Sequence, residues 1–83
     1  MTSKDLCNLV EFRIAIYLQD DTGFSHKYEG IVGYEKVVFE GKNLITLRMK
    51  DVIIDNKKVV KDKLFTVKQT LRIKKWRIVK ECL

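Results

Sequence analysis

The chain has 83 residues, 46% of them hydrophobic and 34% charged, with a net charge of +6. That length makes one domain, near the lower limit at which a single core sustains itself. No apolar run approaches the roughly 20 residues of a membrane-spanning helix, and the opening Met-Thr-Ser-Lys-Asp-Leu-Cys lacks the basic-then-apolar layout of a signal peptide. The expected setting is intracellular, cytoplasm or nucleus, where Cys7 and Cys82 remain thiols rather than a bridge.

Charge is unevenly spread. Residues 1–41 carry four basic against seven acidic residues, net −3, and residues 42–83 carry thirteen against four, net +9. Such an excess suits a nucleic acid or an acidic protein on the carboxy-terminal half, and it equally keeps exposed strands soluble and unpaired.

In chain order, Thr2-Ser3-Lys4-Asp5 has the form of a capping box, with Thr2 as N-cap and Asp5 reaching back. Leu6, Leu9 and Val10 follow at helical spacing, which predicts one or two turns ending near Asn8. Val10, Phe12, Ile14, Ile16 and Leu18 then alternate with Glu11, Arg13 and Tyr17, the period of a half-buried strand. Gln19-Asp20-Asp21-Thr22-Gly23 supplies turn chemistry. A second strand runs from Ser25 to Tyr34, with Gly30 and Gly33 marking a bulge or bend. Glu35 to Lys42 reads as a loop with an apolar plug, Val37-Val38-Phe39, or as a short strand end.

Asn43 to Ile54 is the longest run of strand formers, and the predicted central strand. Ile45, Leu47, Met49 and Ile53 share one face, with Thr46, Arg48 and Lys50 on the other. Asp51 interrupts, and Val52 and Ile54 then make the second face apolar, as expected of a strand bent by a bulge. Asp55-Asn56-Lys57-Lys58 is a hairpin turn. Val59-Val60 and Leu64 to Lys68 form a fourth strand with Phe65 and Val67 inward, and Thr70 to Lys75 turns into a fifth, Trp76 to Glu81. Nothing after the first helix reads as a helix of ordinary length. The expected fold is all-β: a short N-terminal helix and five antiparallel strands in a strongly bent, barrel-like sheet.

That order resembles the Sm/LSm family, and the matching residues run along nearly the whole chain. The strand with Phe12, Ile14 and Ile16 is followed by a turn with Gly23; Tyr28-Glu29-Gly30-Ile31-Val32 is similar to the aromatic-x-Gly-x-aliphatic start of the family's second strand. Asn43-Leu44-Ile45-Thr46-Leu47 resembles the Asn-Leu-x-Leu opening of its third, and residues 68–79 the layout of its last two strands. The ending is closest to divergent members such as the amino-terminal domain of enhancer-of-decapping proteins. There are departures. Tyr34-Glu35 stands where the family has aromatic-Asp, the gap from Gly30 to Asn43 is longer, and Arg72-Ile73 replaces an Arg-Gly or Lys-Gly pair. The resemblance therefore implies a module for protein contacts in an RNA-associated complex rather than a uracil-reading ring subunit.

Under that resemblance the loops before the third and fifth strands bring Lys42, Asn43, Arg72, Lys74 and Lys75 together as candidate RNA contacts. Asn43 also suits a plain turn position, and the cations a solvated strand face. Leu64, Phe65, Val67, Trp76 and Ile78 are the candidate interface, pairing the fourth strand of one subunit with the fifth of another in a homo-oligomer or with a second Sm-like chain. Two rivals are a direct single-stranded RNA binder and a small inhibitor, of the kind phages encode, that docks on a host protein. Trp76 beside the basic run invites stacking on a base, but its alternation with Ile78 fits core or interface better.

Asp21-Thr22-Gly23 repeats the aspartic-protease triplet. That chemistry needs two close carboxylates, and Asp20 and the bulky Phe24 crowd the triplet. His26 has no cysteine at metal spacing. The pattern calls for no catalytic residue, metal, cofactor or small-molecule substrate.

Overall fold

Two hydrogen bonds set the start of the chain. In the computed structural model, which describes residues 1–81, the Thr2 amide donates to Asp5 Oδ2 at 2.8 Å and the Asp5 amide to Thr2 Oγ1 at 3.2 Å. This closed capping box starts helix α1, Ser3–Leu9, which buries Leu6 and Leu9. Strands follow as β1, Phe12–Gln19; β2, Ser25–Phe39; β3, Lys42–Ile54; and β4, Lys58–Leu64. A second helix, α2, Val67–Arg72, precedes β5, Lys75–Glu81. The five strands form one antiparallel sheet in the order β4-β3-β2-β1-β5. The sheet does not close: β4 and β5 are its two edges. Among the described residues no helix is long and apolar enough to cross a membrane.

The β2–β3 hairpin is longer than the sequence indicated. Glu40 and Gly41 have φ of 52° and 75°, the positive pair a tight two-residue hairpin requires, so Val37-Val38-Phe39 stays in β2 opposite Leu44, Asn43 and Lys42. The apolar plug is thus a strand arm, with Val38 exposed. At the far end of β3 the predicted change of face occurs at Asp51, whose φ is 51°. Leu47 and Met49 are buried before it and Val52 after it. Between Glu29↔Ile53 and Ile31↔Lys50 the register slips by one residue, so β3 carries the extra residue of a bulge opposite Gly30.

The core joins Leu6 and Leu9 of α1 to Ile14, Ile16 and Leu18 of β1, Val32 of β2, and Leu47, Met49 and Val52 of β3, together with Met1, Phe65 and Ile73. The N-terminal amine donates to the Ile73 carbonyl at 2.5 Å, fastening the chain start to the joint between α2 and β5. Burial, and then the nearby Lys74 charge, push that amine's pKa down.

Strand β4 ends at Leu64, and helix α2 takes Val67 and Lys68 from the expected end of the fourth strand, together with the start of the expected turn from Thr70. Phe65 and Val67 do point inward, but Val67 opens a helix. Its signal was another capping box: the Gln69 amide donates to Thr66 Oγ1 at 3.0 Å, and the Thr66 amide to Gln69 Oε1 at 2.9 Å. The segment Phe65–Thr70 also buries Thr46, which strict alternation placed on the open face. Thr46 Oγ1 lies 2.7 Å from the Phe65 carbonyl and 2.6 Å from Thr70 Oγ1, and Thr70 Oγ1 lies 2.8 Å from the Thr66 carbonyl. Two hydroxyl protons serve those three contacts, while the Leu47 amide donates to Thr70 Oγ1 at 3.1 Å. Thr70 so supplies a ladder acceptor where β4 has left the sheet.

Candidate functional site

The open edges carry the apolar surface that the fold does not bury. On β4, Val59 is 72% and Leu64 54% exposed; on β5, Ile78 is 53% and Val79 39% exposed. Trp76 and Ile78 face Ile16 and Ile14 across the β1–β5 ladder, which places them on the core side, with Trp76 partly buried against the core. Of the predicted interface residues, Leu64, Trp76 and Ile78 therefore lie on the two edge strands. Phe65 and Val67 do not. Both are buried, and the Phe65 ring meets Tyr28 edge-on at 5.1 Å, because the chain turns inward after Leu64 to enter α2.

Both edges are basic. Strand β4 has Lys58, Lys61 and Lys63 against Asp62, and β5 has Lys75, Arg77 and Lys80 against Glu81. Asp62 is already engaged: both of its carboxylate oxygens accept from the Arg48 guanidinium, and that bonding and charge hold its pKa low. Arg48 also donates to Glu35 across the sheet. The Lys63 ammonium lies 5.5 Å from the Phe65 ring centre and 5.9 Å from that of Tyr28.

The predicted RNA residues separate into two places. Arg72, Lys74 and Lys75 line a groove of about 520 Å³ with Tyr17, Leu18, Gln19, Asp20 and Ser25, and the Lys75 ammonium sits 5.0 Å from the centre of the Tyr17 ring. Asn43 lines a different groove, of about 540 Å³, with Ser3, Lys36, Val37, Val38, Leu44 and Ile45. Lys42 is at the hairpin end, opposite Phe39. Asn43 thus lines a different groove from Arg72 and Lys74. The tight Glu40-Gly41 turn makes Lys42 and Asn43 strand residues; Glu40 and Gly41 take the left-handed geometry that suited Asn43 as a turn residue. Tyr17, which sequence reasoning left to sheet packing, is the aromatic member of the basic groove.

The β1–β2 turn is organised by Asp20 rather than by the Asp21-Thr22-Gly23 triplet. Asp20 Oδ1 accepts from the Thr22 amide at 2.9 Å, the Thr22 hydroxyl at 2.6 Å and the Phe24 amide at 3.0 Å. Its other oxygen lies 2.9 Å from His26 Nε2, and His26 Nδ1 lies 2.7 Å from Asp55 Oδ2 in the β3–β4 turn. Asp55 also accepts from the Lys27 amide at 2.9 Å. An imidazolium can donate to both carboxylates and a neutral ring to one only. Accordingly the Asp55 and Asp20 hydrogen bonds raise the His26 pKa above 6.5. Bonding to Thr22 and then His26 holds Asp20 well below the usual carboxylate range, and bonding to His26 and then Lys27 lowers Asp55.

The clamp ties two turns together, and its pH window follows from the signs. The histidine part is fully present below the ordinary value of 6.5 and lost as pH rises through the raised one. The aspartate part is present above 3.8 and lost as pH falls through the lowered values. The melting-temperature difference between wild type and His26→Gln is expected to be greatest between those two ordinary values and to shrink at alkaline pH. A difference independent of pH would show that the ring acts by packing alone.

Among the described residues no cluster of three or more His, Cys, Asp or Glu is arranged to hold a metal; the two carboxylates at His26 use opposite ring nitrogens. Cys7 is an exposed free thiol on α1, and Cys82 lies outside the described residues. Comparison with protein-family models, with curated proteins and with solved structures finds no match.

Proposed function

We propose that the chain is a non-catalytic, Sm-like interaction module that accepts a strand from a neighbouring chain on its open sheet edges, within an RNA-associated complex. The observation that carries this reading is the pair of uncovered edges, each with two exposed apolar side chains, Val59 and Leu64 on β4 and Ile78 and Val79 on β5. An edge strand presents unpaired amides and carbonyls that another strand can bond, and side chains at alternate positions then select the partner. The short helix followed by five antiparallel strands, and the bend at Gly30 and Asp51, support the Sm-like part of the reading. A second reading, single-stranded RNA on the basic groove, is favoured by the three cations around Tyr17.

Native mass at high micromolar concentration tests both readings. In about 1 M salt the Debye length falls to roughly 3 Å and the basic edges no longer repel, so self-association through the edges is expected. Ile78→Arg should abolish it with little change in melting temperature, since Ile78 is half exposed. Trp76→Arg should weaken it by roughly 2 kcal/mol, about 30-fold, and also lower stability, because Trp76 leans on the core. A strictly monomeric protein at high salt that binds oligo-U at low salt, with affinity falling by roughly 0.7 log units per released counterion per decade of salt, would replace the edge reading with the RNA reading.

A further inference from the structure

We infer that the strand seated on this sheet comes not from a second copy but from an acidic, extended segment of another protein, and that it docks on β5. The inference rests on the edge-pairing reading and adds the partner's chemistry. Any pairing of two copies through β4 and β5 brings together strands that each carry three cations against one acid. Like charges across a strand pair are destabilising, and the one acid of β4 is spent on Arg48. A self-complementary edge would show the reverse, one basic strand and one acidic.

Two observations choose β5 over β4. The first is its uncovered apolar side. Ile78 and Trp76 stand beside the buried Ile14 and Ile16 on the core side, so inward side chains of an added strand would extend an existing apolar surface. The second is its available charge. Arg72, Lys74, Lys75 and Arg77 run from the end of α2 along β5, and none makes an ion pair among the described residues. Lys75 lies over the Tyr17 ring, much as Lys63 of β4 lies near two rings, so the charge available on this side is that of Arg72, Lys74 and Arg77, which have neither an ion pair nor a ring contact among the described residues. A segment alternating apolar residues with Asp or Glu would set the first against Trp76 and Ile78 and the second against Lys75 and Arg77. Exposed Ile78 and Val79, and the backbone groups of an edge strand, are features a polypeptide uses and a phosphate backbone does not.

The probe is a blocked octapeptide alternating valine or threonine with glutamate, beside versions carrying glutamine or lysine in place of glutamate. Binding is followed by Trp76 fluorescence at about 50 mM and about 500 mM salt, which changes the screening length severalfold. The glutamate peptide is expected to bind at least ~10-fold tighter than the glutamine one, to lose that advantage at the higher salt, and to lose it in Arg77→Glu and partly in Arg77→Gln. The free protein should be monomeric at low salt. The double variant Lys75→Glu/Arg77→Glu, whose β5 would then complement β4, should self-associate under the same conditions. Equal binding of the glutamine peptide, self-association of wild type at low salt, or displacement of the glutamate peptide by equimolar oligo-U would each overturn the acidic partner while leaving an edge or a basic surface in use. Absence of binding by every peptide, with a monomer at high salt as well, would overturn the edge reading itself.

Discussion

Leu47→Asp is expected to leave the chain unfolded at room temperature. Leu47 is fully buried in the middle of β3, paired with Tyr34 of β2 on one side and accepting the Phe65 amide at 2.9 Å on the other. Losing a buried leucine alone costs about 2–5 kcal/mol. The aspartate adds a carboxylate with no cation beside it, which must either stay charged in an apolar site or take up a proton at a further cost. Against this stands a native state whose whole margin, at roughly 0.05–0.15 kcal/mol per residue, is about 4–12 kcal/mol. Ile14→Asp should give the same result from β1, since Ile14 is equally buried. Val38→Asp, on the exposed part of the hairpin arm, is the control and should melt cooperatively near the wild-type midpoint. Circular dichroism melts decide it. A wild-type midpoint for Leu47→Asp would mean that the buried and open faces of β3 are interchanged.

The readiness of β1 and β3 to be read from sequence has a physical source. A strand that faces a core on one side shows a two-residue period, and Ile14, Ile16 and Leu18, then Leu47 and Met49, are buried where that period puts them. The antiparallel strands and the bulge at Asp51 were legible for this reason, and the capping box of α1 because its two partners are local in sequence; a closed barrel does not form, since the sheet ends in two edges, β4 and β5. The edges were harder. Phe65 and Val67 kept the period of a strand by coincidence: one ends an extended segment and the other begins a six-residue helix, too short for helical periodicity to accumulate. Thr66 and Gln69 carried the only local signal for that helix. The candidate site depended on which loops come close in space, and this was set by a turn length. Because Glu40-Gly41 closes the hairpin in two residues, Asn43 is a residue of β3 and not of a loop. No local pattern distinguishes that outcome from a longer loop. The basic groove beside Tyr17 was likewise hidden, since it needs the β1–β5 pairing of Tyr17 with Lys75.

Gly30→Ala is expected to destabilise the protein by about 1–3 kcal/mol, and Gly30→Val by more, although both residues have more β propensity than glycine. Gly30 lies opposite the bulge, where the extra residue Asp51 lets the two strands come together. A Cβ on Gly30 would stand 2.9 Å from the Lys50 carbonyl oxygen, 3.1 Å from Val52 Cγ2 and 3.3 Å from Met49 Cε. The nearest atom is backbone, and it belongs to the bulge, so relief requires moving the strand rather than a side chain. Overpacking of this kind costs about 1–3 kcal/mol, whereas the whole span of strand propensity is about 1 kcal/mol. The contact therefore decides the sign. Thermal melts should show a loss of roughly 5–20 °C for a domain this small. Gly33→Ala separates the contact from propensity: its Cβ would meet only the Arg48 carbonyl oxygen, at 3.4 Å, and the change should be near neutral. Asp51→Gly supplies the complementary test, since glycine adopts a φ of 51° without a Cβ penalty and should hold or slightly raise the midpoint. Equal losses for Gly30→Ala and Gly33→Ala would show that chain stiffness, and not the close approach of β2 to the bulge in β3, governs this part of the sheet.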